Sequence, residues 1–349
     1  MASKSGVNTN AIAQIASTWG TAVAGGAGDK LVAEITHSMN ETVLNARAVG
    51  SGNSMITSAT RGNEKPTVNV TGDVGYRNCF DILLAQFMGT SGAPSEQTAS
   101  QADYLHTITY NTTRNAKYVT LAYESGTATV HEFPTCTATG VSLRTTDVPG
   151  YLEYSVDLVA NKLELSTAIN TNAVIAAATQ TDTALAAVAF DDDFWINATS
   201  GGAVSSGDQF NITSFELNLL SPQESANEIK GSAGNGSPIA TDLFSGTLTI
   251  TVKELADHTY YTYFTNETNL KCKFQVEGAQ IGSGVNKQVN VYIPQMQLIG
   301  APSYAPTAPG VNAVTYTFTI SKASSNPTGM SSTYPYFTIV NGLSTSLLA

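Results

Sequence analysis

The feature that most restricts how this sequence can fold is a series of short segments in which apolar and polar residues alternate. In the first half of the chain these segments are residues 30–39, 67–72, 104–110, 117–124, 137–144 and 151–159. Alternation with a period of two places the apolar side chains on one face of a strand, and β-branched or aromatic residues fill many of these positions. The pattern predicts half-buried strands of an antiparallel sheet, and therefore a mainly β fold.

One segment has a helical period instead. Phe80, Leu83, Leu84 and Phe87 are spaced at i, i+3, i+4 and i+7, which places them on one face of a helix. Gly89 follows as a residue typical of helix ends. The spacing predicts one short helix that packs its apolar face on the sheet.

The second half of the chain repeats the order of these elements. Residues 209–220, 230–242 and 245–264 correspond to the strand at 30–39, a Gly-rich loop at 49–66 and the strand–helix segment at 67–87. Leu255 or Ala256, Tyr260 and Phe264 form the apolar face of the second predicted helix. The repeated order predicts two modules with the same plan.

The separation between matched residues changes along the chain. Thr67 matches Thr247 at an offset of 180 residues, whereas the later matches have these smaller offsets: Pro134 with Pro294 and Gly140 with Gly300 at 160, and Tyr154 with Tyr316 at 162. The first module therefore holds an extra segment, which we place within residues 91–115. The predicted organisation is an N-terminal arm without a core element (1–28), a first module (29–167), a linker with a strand near residues 190–196 (168–207), a second module (208–322) and a C-terminal tail (323–349).

Charge narrows the classes of function. Only 12% of the residues are charged, against about 25% in ordinary soluble domains. Such a surface fits a chain that buries its exterior against partners, and it equally fits a neutral, Thr-rich extracellular β-protein. The net charge is −11 and Lys and Arg form no block, so recognition of nucleic-acid phosphates is disfavoured.

Cysteine usage and hydropathy bear on the compartment. Cys79, Cys136 and Cys272 are odd in number and far apart, which favours reduced core residues over a disulfide framework. The apolar residues near the N-terminus are interrupted by polar ones, which is unlike a signal peptide. The longest apolar run, residues 184–190, is too short to span a bilayer. We expect a protein that is neither exported by a standard signal nor embedded in a membrane.

No residue pattern indicates catalysis, a metal or a cofactor. His37, His106, His131 and His258 have no partner at metal-ligand spacing, so a structural role is expected for them. The acidic run 191–193 lacks the remaining ligands of a calcium loop, and the Gly-rich loops lack the Lys of a phosphate-binding loop. The sequence predicts a protein that is not an enzyme.

Several segments resemble a known family. They are "STWGTAV" at 17–23, "VNVTGDVGYRNCFDILLAQFMG" at 68–89, "CTATGVSLRTTDVPGYLEYSVDLVANK" at 136–162 and "SFELNLL", "FSGTLTITV" and "VNVYIPQMQL" in the second half. Together they resemble the major tail tube proteins of bacteriophages with long, non-contractile tails, over roughly residues 17–321. The resemblance implies a tandem of tail-tube-type β-sandwich or barrel modules, each with a short flanking helix and a long barrel-forming hairpin.

The resemblance also implies how copies assemble. Most relatives close a ring with six single-module subunits, and relatives with two modules close it with three. Six modules of four strands give about 24 strands and a barrel roughly 45 Å across, wide enough for duplex DNA. We therefore expect homotrimeric rings of pseudo-sixfold symmetry that stack into a tube, with a homohexameric ring as the alternative.

Positions in the sequence indicate which residues line the lumen and which form contacts between copies. The hairpin 140–159 and its counterpart 300–320 are expected to line the lumen, with Arg144, Asp147, Glu153 and Asp157 as candidates. The loops 49–66 and 230–242 and the arm before Asp29 are expected to make the contacts between stacked rings. The candidate residues for contacts between subunits or between rings are Trp19, Ser51, Asn53, Arg61, Lys65, Lys230 and Asn235. Trp19 either anchors the first strand in its own core or fills an apolar pocket on a neighbour.

The function implied is that of a structural virion protein. Its acidic lumen would conduct genomic DNA without binding it specifically, and its partners would be further copies, a tape-measure protein and a tail-terminator protein. It would be found in the virion, after assembly in the host cytoplasm. The alternative is a carbohydrate-binding β-sandwich of a cell-surface or spike protein, which predicts exposed aromatic side chains along one face.

Overall fold

Strands account for most of the regular structure of the chain, as the alternation predicts. A computed structural model describes residues 10–40, 43–46, 58–61, 64–112, 116–125, 129–146, 148–165, 167–189, 192–225, 235–253, 259–302 and 313–349. Within them, the strands are β1 Ala11–Ala16, β2 Lys30–Leu31, β3 Glu34–Ser38, β4 Val43–Ala46, β5 Ser58–Arg61, β6 Thr67–Asp73, β7 Gly89–Ser91, β8 Ser95–Glu96, β9 Tyr104–Tyr110, β10 Tyr118–Ser125, β11 Thr129–Thr145, β12 Gly150–Tyr151, β13 Glu153–Ala160, β14 Glu164–Leu165, β15 Ala187–Val188, β16 Asp193–Ala198, β17 Ser214–Leu220, β18 Gln223–Ser225, β19 Pro238–Ala240, β20 Ser245–Val252, β21 Leu270–Gly282, β22 Val285–Leu298, β23 Val314–Ile320 and β24 Tyr336–Asn341. The helices are α1 Phe80–Met88, α2 Asn172–Ala177 and α3 Thr259–Thr265, with a 3₁₀ turn at Ser206–Asp208.

Eight of these strands form one continuous antiparallel sheet, which we call the main sheet. Its order is β3, β6, β13, β11, β17, β20, β23 and β22. The first four strands come from the first half of the chain and the last four from the second half. The pairing of β11 with β17 therefore joins the two halves through main-chain hydrogen bonds.

The two sets of four strands pair in the same order and register. We call β3, β6, β13 and β11 the first unit, and β17, β20, β23 and β22 the second unit. Val68 lies opposite Leu158 in the first unit, and the residues 180 and 160 positions later, Leu248 and Phe318, lie opposite each other in the second. The counterpart of Tyr154 is consequently Val314 rather than Tyr316, since Tyr154 faces Gly72 and Val314 faces Val252.

Further strands form a second layer over each unit. β10 pairs with the start of β11 and β21 pairs with β22, and both ladders carry a register shift at the same place, after Val119 and after Leu270. β1 pairs with β10 and β16 with β21. The extra segment of the first half supplies β9, which pairs with β24 and so extends the layer over the second unit.

Both chain ends contribute to this layer. Ala11–Ala16 is a buried strand, so the expectation that the N-terminal arm has no core element is wrong for these residues. Pairing with Tyr118–Ser125 provides the main-chain partners that the isolated segment lacks. Every residue of β24, within the predicted C-terminal tail, is buried as well.

Helix α1 lies under the second layer, as its period predicts. Phe80, Leu83, Leu84 and Phe87 are fully buried, and their helix contacts β11, β9 and β1. Gly89 ends the helix in the left-handed region at φ 86°, which a residue with a Cβ adopts only at a cost. The second helix predicted from the sequence is α3, which begins at Thr259 and buries Tyr260. Leu255 and Ala256 lie outside the described residues.

The three cysteines are all core residues. Cys79, Cys136 and Cys272 are buried and free, in agreement with the prediction made from their number and spacing. Burial raises the pKa of all three thiols, which keeps them protonated. In the described residues, no helix has both the length and the apolar character needed to cross a membrane.

Candidate functional site

One face of the main sheet is polar across all eight strands. In β6, β13, β17, β20 and β23 alternate residues are buried, and those between them point to this side, which we call the polar face. In β3, the exposed residues of this face alternate with the half-buried Ile35 and His37. Ladder partners lie on the same face, so Asn69 faces Asp157, Ser142 faces Asn218, and Thr249 faces Thr317. Single strands that are hydrophobic on one side and polar on the other thus combine into a continuous hydrophilic wall.

The charges on this wall are concentrated on the first unit and the neighbouring strand β17. Among the described residues of the eight strands, the charged groups on the polar face are Glu34, Asp73, Glu153, Asp157, Glu216 and Arg144. The corresponding positions of β20 and β23 carry Ser and Thr: Ser245, Thr247, Thr249, Thr251, Thr315, Thr317 and Thr319. One half of the wall is therefore acidic and the other half is uncharged.

A row of ladder partners crosses the acidic half. Asp73 faces Glu153, Glu153 faces Arg144, and Arg144 faces Glu216. Arg144 donates from Nε to Oε2 of Glu153 at 2.7 Å. A depression of about 760 Å³ opens around this row, lined by Glu34 and Asp73 among others. Both partners of the ion pair are solvent-accessible, so the pair adds little stability, but it separates carboxylates that would otherwise be neighbours.

Three of the four predicted lumen residues lie on the polar face. They are Arg144, Glu153 and Asp157, and the Asp157 carboxylate accepts a hydrogen bond from Nδ2 of Asn69 at 2.7 Å. Asp147 lies outside the described residues. The hairpin 140–159 belongs to the main sheet through β11 and β13. Of its predicted counterpart 300–320, the strand in the main sheet is β23, because β22 ends at Leu298, before the predicted start. The position of these segments at a lumen stays a prediction.

Three predicted contact residues, Trp19, Asn235 and Lys65, lie at the joint between the two halves. Trp19 donates from Nε1 to the carbonyl of Asn235 at 2.8 Å, and its ring lies 5.0 Å from that of Tyr118 in an edge arrangement. Lys65 forms an ion pair with Glu224 at 2.7 Å. The hydrogen bond and the ion pair both link the first half of the chain to the segment between β17 and β20. Trp19 therefore contacts both its own half, at Tyr118, and this second-half segment.

Partners that the sequence did not indicate complete this joint. Asn161 donates from Nδ2 to the carbonyl of Asn235 at 2.9 Å and accepts from the backbone N–H of Asn235 at 3.0 Å. Gln223 donates from Nε2 to the carbonyl of Ala138 at 3.3 Å. Asn161 and Asn235 are each only 6% exposed. No short-range pattern marks these residues, because their partners are far away in the sequence.

The remaining contact candidates have no described side-chain environment. Arg61 is the last residue of β5 and lies opposite Val43 in a two-stranded hairpin. Ser51, Asn53 and Lys230 lie outside the described residues. The roles proposed for them from the sequence stay predictions.

The histidines that the structure describes are held by neighbouring protein groups. The hydroxyl of Tyr123 lies 2.7 Å from Nδ1 of His37 and 3.1 Å from Nδ1 of His131. His106 is buried, with Nε2 2.9 Å from the carbonyl of Leu343, and burial lowers its pKa. His258 is outside the described ranges. Among the described residues, no three His, Cys, Asp or Glu side chains form a group that could hold a metal ion.

Comparison with known proteins identifies a family. A sequence profile described as phage tail tube protein matches residues 9–320, which include both units and most of the second layer. No curated protein matches the chain.

Proposed function

The chain belongs to the phage tail tube protein family, a family of structural virion proteins that assemble into a tube, and on this premise we propose how its copies close a ring. Three copies form each ring, in which the two units of every copy occupy equivalent places and give pseudo-sixfold symmetry. The rings stack into the tail tube of a phage with a long, non-contractile tail.

The joint between the two units carries this proposal. Within one chain, β11 of the first unit pairs with β17 of the second at Gly140–Leu220, Val141–Leu219 and Ser142–Asn218. The main sheet ends at β3 on one side and, beyond the part of β22 that pairs with β21, at Gln297 and Leu298 on the other, and these two edges are the counterparts of β17 and β11. Unpaired sheet edges readily accept another chain, and a head-to-tail contact of fixed rotation closes a ring.

The register of the internal joint gives the register between copies. At the same offsets, the residues that follow β22 in one copy meet the end of β3 in the next: Gly300 lies opposite Asn40, Ala301 opposite Met39, and Pro302 opposite Ser38, the last residue of β3. Eight strands per copy then give 24 strands in a trimer. At ~4.8 Å between strands and ~40° tilt, the backbone diameter is roughly 45–50 Å.

We infer that the polar face lines the lumen of this tube. Five carboxylates and one guanidinium on each copy make the wall repel DNA, so that a duplex slides past without specific binding. The acidic and uncharged halves alternate around the ring, three of each. A tape-measure protein would fill the lumen before DNA ejection and a terminator protein would end the tube, after assembly in the host cytoplasm.

The carbohydrate-binding alternative has no supporting feature on this surface. A glycan-binding sheet presents aromatic side chains for stacking against sugar rings. Ser, Thr, Asn and charged residues occupy the exposed alternate positions of β6, β17, β20 and β23, apart from Leu220. A structural role without catalysis is the function that the family and the main sheet support.

The mass and shape of the assembled ring test the proposal. Electron microscopy of the purified protein should show rings or tubes with an open lumen. Native mass spectrometry of single rings should give three chains of 36.5 kDa, about 110 kDa in total. Twice that mass would establish the hexamer, and a compact monomer under every condition, including mixtures with assembly partners, would contradict ring formation.

The lumen assignment needs a test of its own. The triple variant Glu153→Gln, Asp157→Asn and Glu216→Gln removes three of the five carboxylates from the polar face. Its tubes should retain short duplex DNA at low salt better than wild-type tubes do. The matched control removes three exposed carboxylates elsewhere, at Glu96, Asp242 and Glu267. Equal DNA retention by the two variants would contradict a lumen on the polar face.

A further inference from the structure

Each unit carries an arm at the same point of its plan. The first arm runs from residue 39 to residue 66 between β3 and β6, and its described residues 39–40, 43–46, 58–61 and 64–66 include the hairpin of β4 and β5. The second arm, residues 221–244, connects β17 to β20 and contains the hairpin of β18 and β19. Val43 and Ser58 begin the strands of the first hairpin, and Gln223 and Pro238, 180 residues later, begin those of the second. The two arms are therefore counterparts in position, and their hairpin ladders differ by one residue, since Val43 faces Arg61 and Gln223 faces Ala240.

The second arm packs against the first unit of its own chain. Its ion pair from Glu224 to Lys65 and its hydrogen bond from Gln223 to Ala138 fix the first strand of the hairpin. Ser237 lies 3.1 Å from the hydroxyl of Tyr118. With the contacts of Asn235 to Trp19 and Asn161, these interactions cover a surface on β11, β13 and β10.

The second unit has the equivalent surface, and there it is open to solvent. The counterparts of Lys65, Tyr118 and Trp19 are Ser245, Asn269 and Gly202, and all three are exposed. Ile299, next to the counterpart of Ala138, is 51% exposed. Ser321, the counterpart of Asn161, keeps the equivalent main-chain bond, donating to Gln295 as Asn161 donates to Thr135. The backbone of the receiving surface is thus preserved, and an exposed apolar side chain adjoins it.

We propose that the first arm of one copy packs over this surface on the second unit of a neighbouring copy in the same ring. The proposal rests on the ring proposed above, because only a ring that continues the main sheet brings the two surfaces together as the β11–β17 joint does. It assigns the first arm a lateral contact, whereas the sequence led us to expect a contact between stacked rings. A second copy is the occupant, since the chain already makes the same contact once within itself.

A pair of cysteines tests the contact at the positions equivalent to Glu224 and Lys65. These are Leu44 in β4 and Ser245 at the start of β20. Rings of Leu44→Cys/Ser245→Cys protein are treated with a short bis-maleimide and separated under denaturing conditions. The native cysteines are buried, so they compete little for the reagent. Lys65→Cys/Glu224→Cys is the positive control for an intrachain link, and each single variant controls for chance collisions.

The number of chains in the cross-linked products tests the arm contact and the ring separately. A lateral contact should give linked dimers and closed trimers that stop at three chains. Cross-linked products of up to six chains would support the arm contact and show that the ring is a hexamer instead of a trimer. Intrachain links alone, or a ladder that continues beyond six chains, would overturn the arm contact. Unlinked chains in rings visible by electron microscopy would overturn it and leave the ring intact, whereas absence of rings would overturn both.

Discussion

The buried carboxyl of Asp81 should make the stability of the subunit depend on pH in a predictable direction. Asp81 lies in the first turn of α1 and is 1% exposed, and its Oδ1 has no hydrogen-bond partner among the described residues. Burial raises its pKa to about 6 from a usual value of 3.8, against the opposing effect of nearby backbone N–H groups and Arg77. The folded chain therefore holds this proton more tightly than the unfolded chain does.

The sign and size of the effect follow from that difference. Folding is favoured while Asp81 is protonated in the folded state, and this contribution is lost as the pH rises from about 4 through about 6. The full loss is about 3 kcal/mol, because each pKa unit corresponds to about 1.4 kcal/mol. Between pH 4.5 and pH 7.5 the change is about 2 kcal/mol, since the unfolded carboxyl is already largely ionised at pH 4.5.

Asp81→Asn removes this titration and keeps the size of the side chain. Relative to the wild type, the variant should therefore gain about 2 kcal/mol in free energy of unfolding when the pH is raised from 4.5 to 7.5. Urea unfolding of the unassembled subunit at both pH values, followed by circular dichroism, measures the difference. Any change in packing caused by the amide affects both pH values equally and cancels from this comparison.

The matched control is Asp242→Asn, an exposed carboxyl in a loop, whose effect should stay within about 0.5 kcal/mol at both pH values. If the stability difference between Asp81→Asn and the wild type is the same at both pH values, the carboxyl is not protonated in the folded chain near neutral pH, and the inference from burial is refuted.

Three further substitutions test the packing. Leu83→Ala should lower the free energy of unfolding by about 2–5 kcal/mol in urea titrations, because the side chain is fully buried in α1. Gly89→Ala should lower the free energy of unfolding by about 1 kcal/mol in the same assay, since the residue has φ 86°. Gly202→Ala is the control, because a Cβ added there meets no other atom. Trp19→Phe should cost about 1 kcal/mol, because it keeps the ring beside Tyr118 and loses the hydrogen bond to Asn235. A Trp19→Phe subunit as stable as the wild type would show that this bond does not hold the second arm.

Strands and helices with a regular period could be predicted from the sequence, because the period depends on near neighbours. β9 occupies the predicted residues 104–110, and α1 has the predicted apolar face. The predicted strand 30–39 is instead divided into β2 and β3 by Val32 and Ala33. β11 is longer than the segment 137–144, because β10 pairs with its first part.

Elements whose partners lie far away in the sequence could not be predicted. Lys271 is a charged residue within β21 that is nevertheless buried. Its burial is possible because its Nζ donates hydrogen bonds to the carbonyls of Gly201 and Thr328, at 3.0 and 3.1 Å. The polar face follows from the alternation of each strand, and Arg144, Glu153 and Asp157 lie on it, while their role at a lumen stays a prediction. The contacts of Asn235 could not be predicted, since its contact with Trp19 spans 216 residues.

The two units share their backbone plan and differ in the side chains of the polar face. Strand register and surface charge therefore depend on different properties of the sequence. Register depends on main-chain hydrogen bonds and on the alternation of buried residues, so many side chains are compatible with it. Charges on the face interact across strands instead. Asp73 and Glu153 are direct neighbours, and Arg144 lies between Glu153 and Glu216. An acidic row of this kind needs its arginine, whereas the Thr-lined half has no charges to balance and gains only β-propensity. The acidic character of the wall therefore depends on the side chains of five neighbouring strands, β3, β6, β13, β11 and β17, and not on the repeated plan itself.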